Sequence, residues 1–312
     1  MSLSRRQFVA RTAAATAALP FASPLAGATP WTTPAPPTGS PRRAEFTAIR
    51  NGVGYFTGQG GTIGYLQSPD ALVAVDTQFP DSARTFIEGL RERAGDPMRG
   101  LDLLVNTHHH GDHTAGNAVL APLAATHVAH DAVPGLQRAA AVRSGSLDGQ
   151  RYPSETFERS WSTDLGSEVV SLHYFGPAHT CGDVVTHFER SNVVHMGDLV
   201  FNRRQPYIDG GAGASVQGWI GNLATIRGRF DADTVFIFGH AGEGYPVVGD
   251  REELVVMAGF LAALYDTVGD ALAEGRTPAE IEGMMVPGHD AWGPIPMRVI
   301  DPIQAEIERS RG

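Results

Sequence analysis

An α/β fold is predicted for this chain, on three observations. Short apolar, β-prone runs crowd the beginning of the folded part; after residue 81 such runs alternate with stretches of helical periodicity; and several runs stop where a histidine or aspartate follows.

The opening strands are read at 46–49, 53–57, 62–67 and 71–75, with Gly58-Gln59-Gly60-Gly61 as a turn. A helix follows: Asp81 is placed to cap it, Ala83, Phe86, Ile87, Leu90 and Ala94 recur at helical spacing, and Gly95 ends it. Such a stripe packs a helix on a sheet, so Phe86 and Leu90 are expected in the core. Residues 101–105, 169–175, 184–188, 193–196 and 234–238 read as further strands, and 215–227 and 251–274 as helices. In the second helix Leu254, Met257, Leu261, Leu264, Val268 and Leu272 mark one apolar face. Thr277-Pro278-Ala279-Glu280 is a capping box with proline at the first helical position, and 297–309 is expected to be helical.

The N-terminus concerns address. Ser4-Arg5-Arg6-Gln7-Phe8-Val9 resembles the bacterial twin-arginine export signal, followed by the alanine-rich 12–19 and the small-residue site Ala26-Gly27-Ala28. Residues 1–28 are therefore expected to be a signal peptide, handled by the twin-arginine translocation machinery, with a periplasmic or secreted destination. The apolar stretch is short and broken by Pro20, so no integral membrane anchor is expected. Pro30, Pro34, Pro36, Pro37 and Pro41 make 29–43 an extended linker, and with no internal repeat or second linker visible, 44–312 is expected to be one domain. The net charge of −10 argues against a general nucleic-acid surface and leaves a small-molecule substrate. Cys181 is the only cysteine, which excludes an internal disulfide and a thiolate-rich metal site; it reads as a small buried hydrophobe or as an outer neighbour of His179.

The segment Thr107-His108-His109-His110-Gly111-Asp112-His113 puts four histidines and an aspartate into seven residues, directly after the 101–105 strand. Imidazole and carboxylate are donors that zinc prefers, and a loop leaving a strand end can fan them around a point. Alternation along an extended segment puts His108 and His110 on one side and His109 on the other. Asp112 and His113, past the turn at Gly111, then aim at a second position. His179 follows the 169–175 run, Asp198 the 193–196 run and His240 the 234–238 run. Asp183 is placed either to accept a hydrogen bond from a ligand histidine or to cap a turn. His127, His130, His173, His187 and His289 read as structural or exposed, and His195 as a strand-end residue that is not a ligand.

The ordered set His108-x-His110-x-Asp112-His113, His179, Asp198 and His240 resembles the metallo-β-lactamase-fold superfamily of hydrolases, over roughly residues 46–245. The resemblance implies a four-layer αββα sandwich, two β-sheets packed face to face with helices outside. It implies one ion held by His108, His110 and His179, another by Asp112, His113 and His240, and Asp198 bridging both. Two zinc ions so placed share a hydroxide as nucleophile, and Asp112 has the catalytic part of orienting it. β-Lactamases of this fold generally have cysteine or serine where Asp198 stands, so the aspartate resembles the glyoxalase II, lactonase and phosphodiesterase branches.

The expected activity is that of an exported binuclear zinc hydrolase attacking an ester, lactone, thioester or β-lactam carbonyl. The alternatives are a persulfide-dioxygenase-like oxidoreductase with one Fe2+ and a phosphodiesterase of the same fold. Substrate contacts are expected from Arg203, Arg204 and Tyr207 in the glycine-rich 202–214 segment. The polar, turn-rich 143–164, with Tyr152, Phe157 and Trp161, is read as a loop or lid beside the site.

Overall fold

Successive side chains of a strand point to opposite faces, so the unbroken apolar runs of the central strands, such as Leu72-Val73-Ala74-Val75, require a layer on each side of each sheet. In a computed structural model describing residues 44–311, β1 (Glu45–Arg50), β2 (Val53–Thr57), β3 (Ile63–Gln67) and β4 (Leu72–Val75) form an antiparallel meander. Helix α1 (Pro80–Ala94) crosses to β5 (Leu101–Val105), parallel to β4. Two single-turn helices, α2 (Gly111–Thr114) and α3 (Asn117–Leu120), lead to β6 (Ala124–His130), and α4 (Val133–Ser144) leads to β7 (Glu155–Phe157). These seven strands form one sheet in chain order.

The second half supplies β8 (Ser160–Asp164), β9 (Val169–Tyr174), β10 (Val184–Phe188), β11 (Val193–His195), β12 (Phe201–Asn202), α5 (Val216–Arg229), β13 (Val235–Ile237), β14 (His240–Ala241) and β15 (Val248–Gly249). Helices α6 (Arg251–Ala273), α7 (Pro278–Ile281) and α8 (Met297–Arg311) close the chain. The second sheet runs β15-β13-β11-β10-β9-β8, and β12 and β14 form a separate parallel pair.

Three cores show the layering. Val73 and Val75 of β4 and Leu103 and Val105 of β5 meet Val170, Leu172, Val184, Val193 and Ile237 between the sheets. The other faces of the same strands, Leu72, Ala74, Leu101 and Leu104, pack on Ala83, Phe86, Ile87 and Leu90 of α1. Val185, Val194, Phe236 and Phe238 face α5, α6 and α8 through Trp219, Leu223, Leu261, Leu264, Ile300 and Ile303. The architecture is the four-layer αββα sandwich. Helix α6 is long and apolar enough by composition to cross a membrane, and its apolar stripe lies in this third core.

Several expectations need correction. Asp81 does not cap α1: Phe79 is the cap residue and Pro80 occupies the first turn, because proline's fixed φ suits that position. Asp81 sits in the first turn, where its charge suits the helix dipole, and it pairs with Arg84. The 143–164 segment is not a lid. It contains the end of α4 and the edge strands β7 and β8, held because Phe157 is buried between the sheets and Trp161 packs against the same core. The signal-peptide and linker readings of 1–28 and 29–43 lie outside the described residues.

Phe86 is fully buried, stacked on Phe46 and edge-on to Phe56. Phe86→Ala is expected to destabilise the chain by about 3–5 kcal/mol in chemical denaturation; a loss below about 1 kcal/mol would remove α1 from the core assigned to it.

Candidate metal centre

The chemistry-bearing residues collect where strands end. β4 stops at Asp76, β5 delivers His108 to His113, the β9–β10 loop carries His179, β11 is followed by Asp198, and β13 by His240. His110 is extended and stands at the start of α2, so Gly111 opens a helical turn that carries Asp112 and His113 back towards the cluster. Left-handed Gly197 (φ 52°) swings Asp198 inward, and a Cβ there would lie 2.8 Å from Thr107.

Two groups form. His108, His110, His179 and Asp198 are all buried and their donor atoms lie within 4.8 Å of one another; Asp112, His113 and His240 make the second group. His110 Nδ1 is 3.0 Å from His108 Nε2 and 2.9 Å from His179 Nε2. His240 Nε2 is 3.1 Å from Asp112 Oδ2 and 3.4 Å from His113 Nε2. Asp198 reaches both groups: Oδ2 is 3.5 Å from His179 Nε2 and 3.4 Å from His240 Nε2, and Oδ1 is 3.0 Å from His113 Nε2.

The outer hydrogen bonds settle which ring nitrogens carry protons, by assignment from the network. Thr107 Oγ1 donates to Asp76 Oδ2 at 2.7 Å, so at 3.0 Å it accepts from His108 Nδ1. His110 Nε2 donates to Asp209 Oδ2 (2.9 Å) and His179 Nδ1 to the Tyr207 carbonyl (2.7 Å). The lone pairs of His108 Nε2, His110 Nδ1 and His179 Nε2 therefore face one another with no proton among them. Asp198 Oδ1 is buried and makes no hydrogen bond of acceptable angle despite its nearness to His113. Converging acceptors need a cation, so this donor set fits divalent metal.

Electrostatics separates the groups. Burial, then the neighbouring His113, holds His108 well below the usual imidazole range; burial and His110 hold His179 down at about 3. Burial also opposes charge on His113 and His240, but the carboxylates of Asp198 and Asp112 outweigh it and raise both. Asp112 and Asp198 are disfavoured as anions by burial, yet the facing histidines pull both below the ordinary carboxylate range.

Sequence reasoning missed two residues. Asp76 (φ 69°) is fully buried and accepts from Thr107 N at 2.8 Å and from His113 Nδ1 at 2.7 Å. Asp209 stands 3.6 Å from His109 Nε2 as well as holding His110. His109 itself turns away from Asp198, with Nδ1 buried and unpartnered. Asp183 caps a turn through Thr180 N and Oγ1, at 2.8 and 2.7 Å. Cys181 is half-buried, and His195 donates to the Thr62 carbonyl at 3.0 Å.

The three candidate substrate contacts part company. Arg204 Nη1 lies 3.4 Å from His240 Nδ1, and the Tyr207 ring centroid is 5.3 Å from that of His110. Arg203 is engaged elsewhere: its guanidinium pairs with Glu253 at 2.5 Å and lies over the buried Trp292 ring.

The model of the Metallo-beta-lactamase superfamily matches residues 57–240, and the chain belongs to that superfamily. It is 31% identical over 139 residues to the 2,4-dinitroanisole O-demethylase subunit alpha of Nocardioides sp. (strain JS1661), covering 44% of this chain and 40% of that one. It is 27% identical over 214 residues to a hydroxyacylglutathione hydrolase of Synechococcus sp. (strain JA-2-3B'a(2-13)), covering 65% of this chain and 74% of the relative. Among solved structures, a metallo-beta-lactamase from Pontibacter korlensis superposes with a TM-score of 0.58 at 19% identity, over 70% of this chain and 99% of that one. DIM-1 metallo-beta-lactamase does so with a TM-score of 0.58 at 17% identity, over 72% of this chain and 100% of its own. At such identities the structural likeness speaks for the fold alone.

Gly61 lies against His113: an added Cβ would come within 2.1 Å of Cε1 and 2.4 Å of Nε2. Gly61→Ala is expected to push His113 out of register and weaken metal binding by about 10-fold or more while the far-UV circular dichroism stays unchanged. Unaltered metal titration in this variant would show that His113 has room to spare.

Proposed function

We propose that this member of the superfamily is a two-metal hydrolase with zinc as its metal, His108, His110 and His179 holding one ion and Asp112, His113 and His240 the other. One observation carries the reading: the Asp198 carboxylate stands between two complete donor groups, with Oδ1 lacking any hydrogen bond. When bound, a pair of such ions polarises a substrate oxygen and lowers the pKa of water to roughly 7.

The chain's own groups do the rest. Thr107, Asp209 and the Tyr207 carbonyl hold the three rings of the first group in the tautomers that leave their inner nitrogens bare. Asp112, partly open to solvent and kept ionised by its histidine neighbours, is the carboxylate able to accept a proton from an attacking water. The cleavable group is the carbonyl of an ester, thioester or lactone. Hydroxyacylglutathione hydrolase, by its name, acts on an acylated thiol, which supports the thioester arm.

Zinc-loaded protein is expected to hold two metal equivalents and to hydrolyse members of a panel of lactones, thioesters, aryl esters, phosphodiesters and β-lactams, with 2,4-dinitroanisole added for the demethylase relative. Asp198→Ala should lose metal and at least about 100-fold in rate; full occupancy and rate would end the bridging assignment. One iron with oxygen uptake would favour the dioxygenase alternative.

Metal content should also depend on pH. His113 and His240 are raised above 6.5, so protons compete with metal for them as pH falls from above that value, whereas His108 and His179 are already neutral. Content should therefore step from two equivalents to one, the second group emptying first. Simultaneous loss from both groups in a metal titration against pH would contradict this.

Export through the twin-arginine route is part of the proposal and is supported by Ser4-Arg5-Arg6-Gln7-Phe8-Val9. When the full-length sequence is expressed, cell fractionation should find the protein outside the cytoplasm, shortened by its signal peptide, and the Arg5→Lys, Arg6→Lys double variant retained within it. Equal export of both would refute the route.

A further inference from the structure

His113 is held at both ends. Asp76 Oδ2 accepts from its ring nitrogen Nδ1 at 2.7 Å, and its main-chain carbonyl is gripped as well. Helix α2 stops at Thr114, so that carbonyl has to find donors outside the helix. It accepts from Thr77 N and Thr77 Oγ1, both at 2.9 Å, and from Asn106 Nδ2 at 3.4 Å. Two consecutive residues after β4, Asp76 and Thr77, therefore fix the ring and the carbonyl of one histidine.

Behind the carbonyl lies a polar cluster that belongs to neither donor group. Asn106 follows β5, Asn117 opens α3 and His127 is on β6; Thr77, Asn106 and Asn117 are fully buried and His127 nearly so. The two amides pair head to tail, Asn106 Nδ2 donating to Asn117 Oδ1 at 3.1 Å and Asn117 Nδ2 to Asn106 Oδ1 at 2.7 Å. Two carbonyls, which can only accept, set the polarity of the pair: that of Arg151, 3.2 Å from Asn117 Nδ2, and that of His113 beside Asn106 Nδ2. Asn106 Oδ1 then accepts from His127 Nε2 at 2.7 Å, and His127 Nδ1 is buried without a hydrogen bond. Turned over, the Asn106 amide would present its oxygen to the His113 carbonyl, acceptor against acceptor, at high cost in a buried network. The donor on His127 opposes that turn from the far side.

We infer that Asn106, Asn117 and His127 are positioning residues of the second donor group, acting on the His113 ring through its own carbonyl. The ring needs such aim: Nε2 stands 3.0 Å from Asp198 Oδ1 and 3.4 Å from His240 Nε2, and a metal ligand has to be held to within about 0.5 Å of its working place. The first group stands apart. Among the described residues, no hydrogen bond runs from these three side chains to the side chains of His108, His110 or His179. The inference rests on the two-metal reading and names what sets the strength of its second ion.

Zinc titration of metal-free protein against a chelating dye tests it. His127→Phe keeps an aromatic ring and deletes the donor; it should weaken the second equivalent about 10-fold and leave the first unchanged. His127→Gln should restore the second equivalent, because the glutamine amide nitrogen reaches where Nε2 stands, and the shorter His127→Asn should not. Thr77→Val, which loses the hydroxyl and keeps the backbone donor, should show the same selective weakening and decides the matter if His127→Phe does not fold. In metal-free protein the ring-nitrogen NMR resonances of His113 should shift in His127→Phe while those of His108 and His179 stay. Equal weakening of both equivalents with no rescue by glutamine, or an unchanged titration, overturns the inference. A single equivalent bound by the unaltered chain would sink the two-metal reading instead, and the ring resonances then decide: a shift confined to His113 upholds the positioning role, and no shift overturns it.

Discussion

Burying one carboxylate at the junction of two sheets is the constraint on which the rest depends. Asp198 is 5% exposed, faces four histidines, and leaves Oδ1 without a hydrogen bond. An isolated buried charge costs several kcal/mol or more, so the site is tolerable only while cationic partners surround it. In metal-free protein those partners are His113 and His240, whose charged forms the carboxylates favour. Metal takes over the same office, so part of the binding free energy is also folding free energy. The same crowding explains the bare glycines around it. A Cβ on Gly239 would lie 2.1 Å from Asp198 Oδ1, and one on Gly61 would strike His113.

Holding bare nitrogens inward needs an outer shell, and that shell is built from strained backbone. Asp76 and Gln78 both take left-handed conformations just after β4, at φ 69° and 54°. Non-glycine residues adopt that region at a cost of order 1–3 kcal/mol, which the surroundings must outweigh. Here they do: Asp76 accepts from the backbone and hydroxyl of Thr107 and from His113, and Gln78 donates to the Gly61 carbonyl at 2.6 Å. One side chain thereby fixes a ring in each donor group, His113 directly and His108 through Thr107.

What the sequence made legible followed from local pattern. Strands with both faces apolar, such as Leu72-Val73-Ala74-Val75, announce a layer on either side, and the α1 and α6 stripes announce what fills two of them. The donor residues brought together here were each visible because they stand directly after such runs. Helix α4 was not foreseen: with Pro134 and Gly135 in its first turn and only Val133, Gln137 and Ala141 buried, it shows no apolar stripe. Asp209 had no local signal, since its partner His110 is 99 positions away in a different strand's loop. Asp76 followed an apolar run as the others did, but an aspartate after a strand is common and its left-handed backbone is invisible in composition. Arg203 and Arg204 look equivalent in sequence. Only the fold shows that one is neutralised by Glu253 while the other stands beside His240.

The loop after β12 does two jobs that are separable in principle and are joined here. Tyr207 orients His179 through its carbonyl, Asp209 orients His110, and Arg204, a few residues earlier on the same loop, lies at the rim beside His240. The outer hydrogen bonds of the first donor group and the rim beside the second are therefore set by one short piece of backbone. A change that re-aims the rim residues shifts the carbonyl and carboxylate that keep two ring nitrogens bare, and an outer-shell disturbance of that kind costs about 10–100-fold in metal affinity. The freer position is α8, which touches the loop through Arg298 and Gln205 but supplies no member of either donor group. Substitutions that spare the metal centre are accordingly expected to be tolerated best in the C-terminal helix, where side chains can change without moving either donor group.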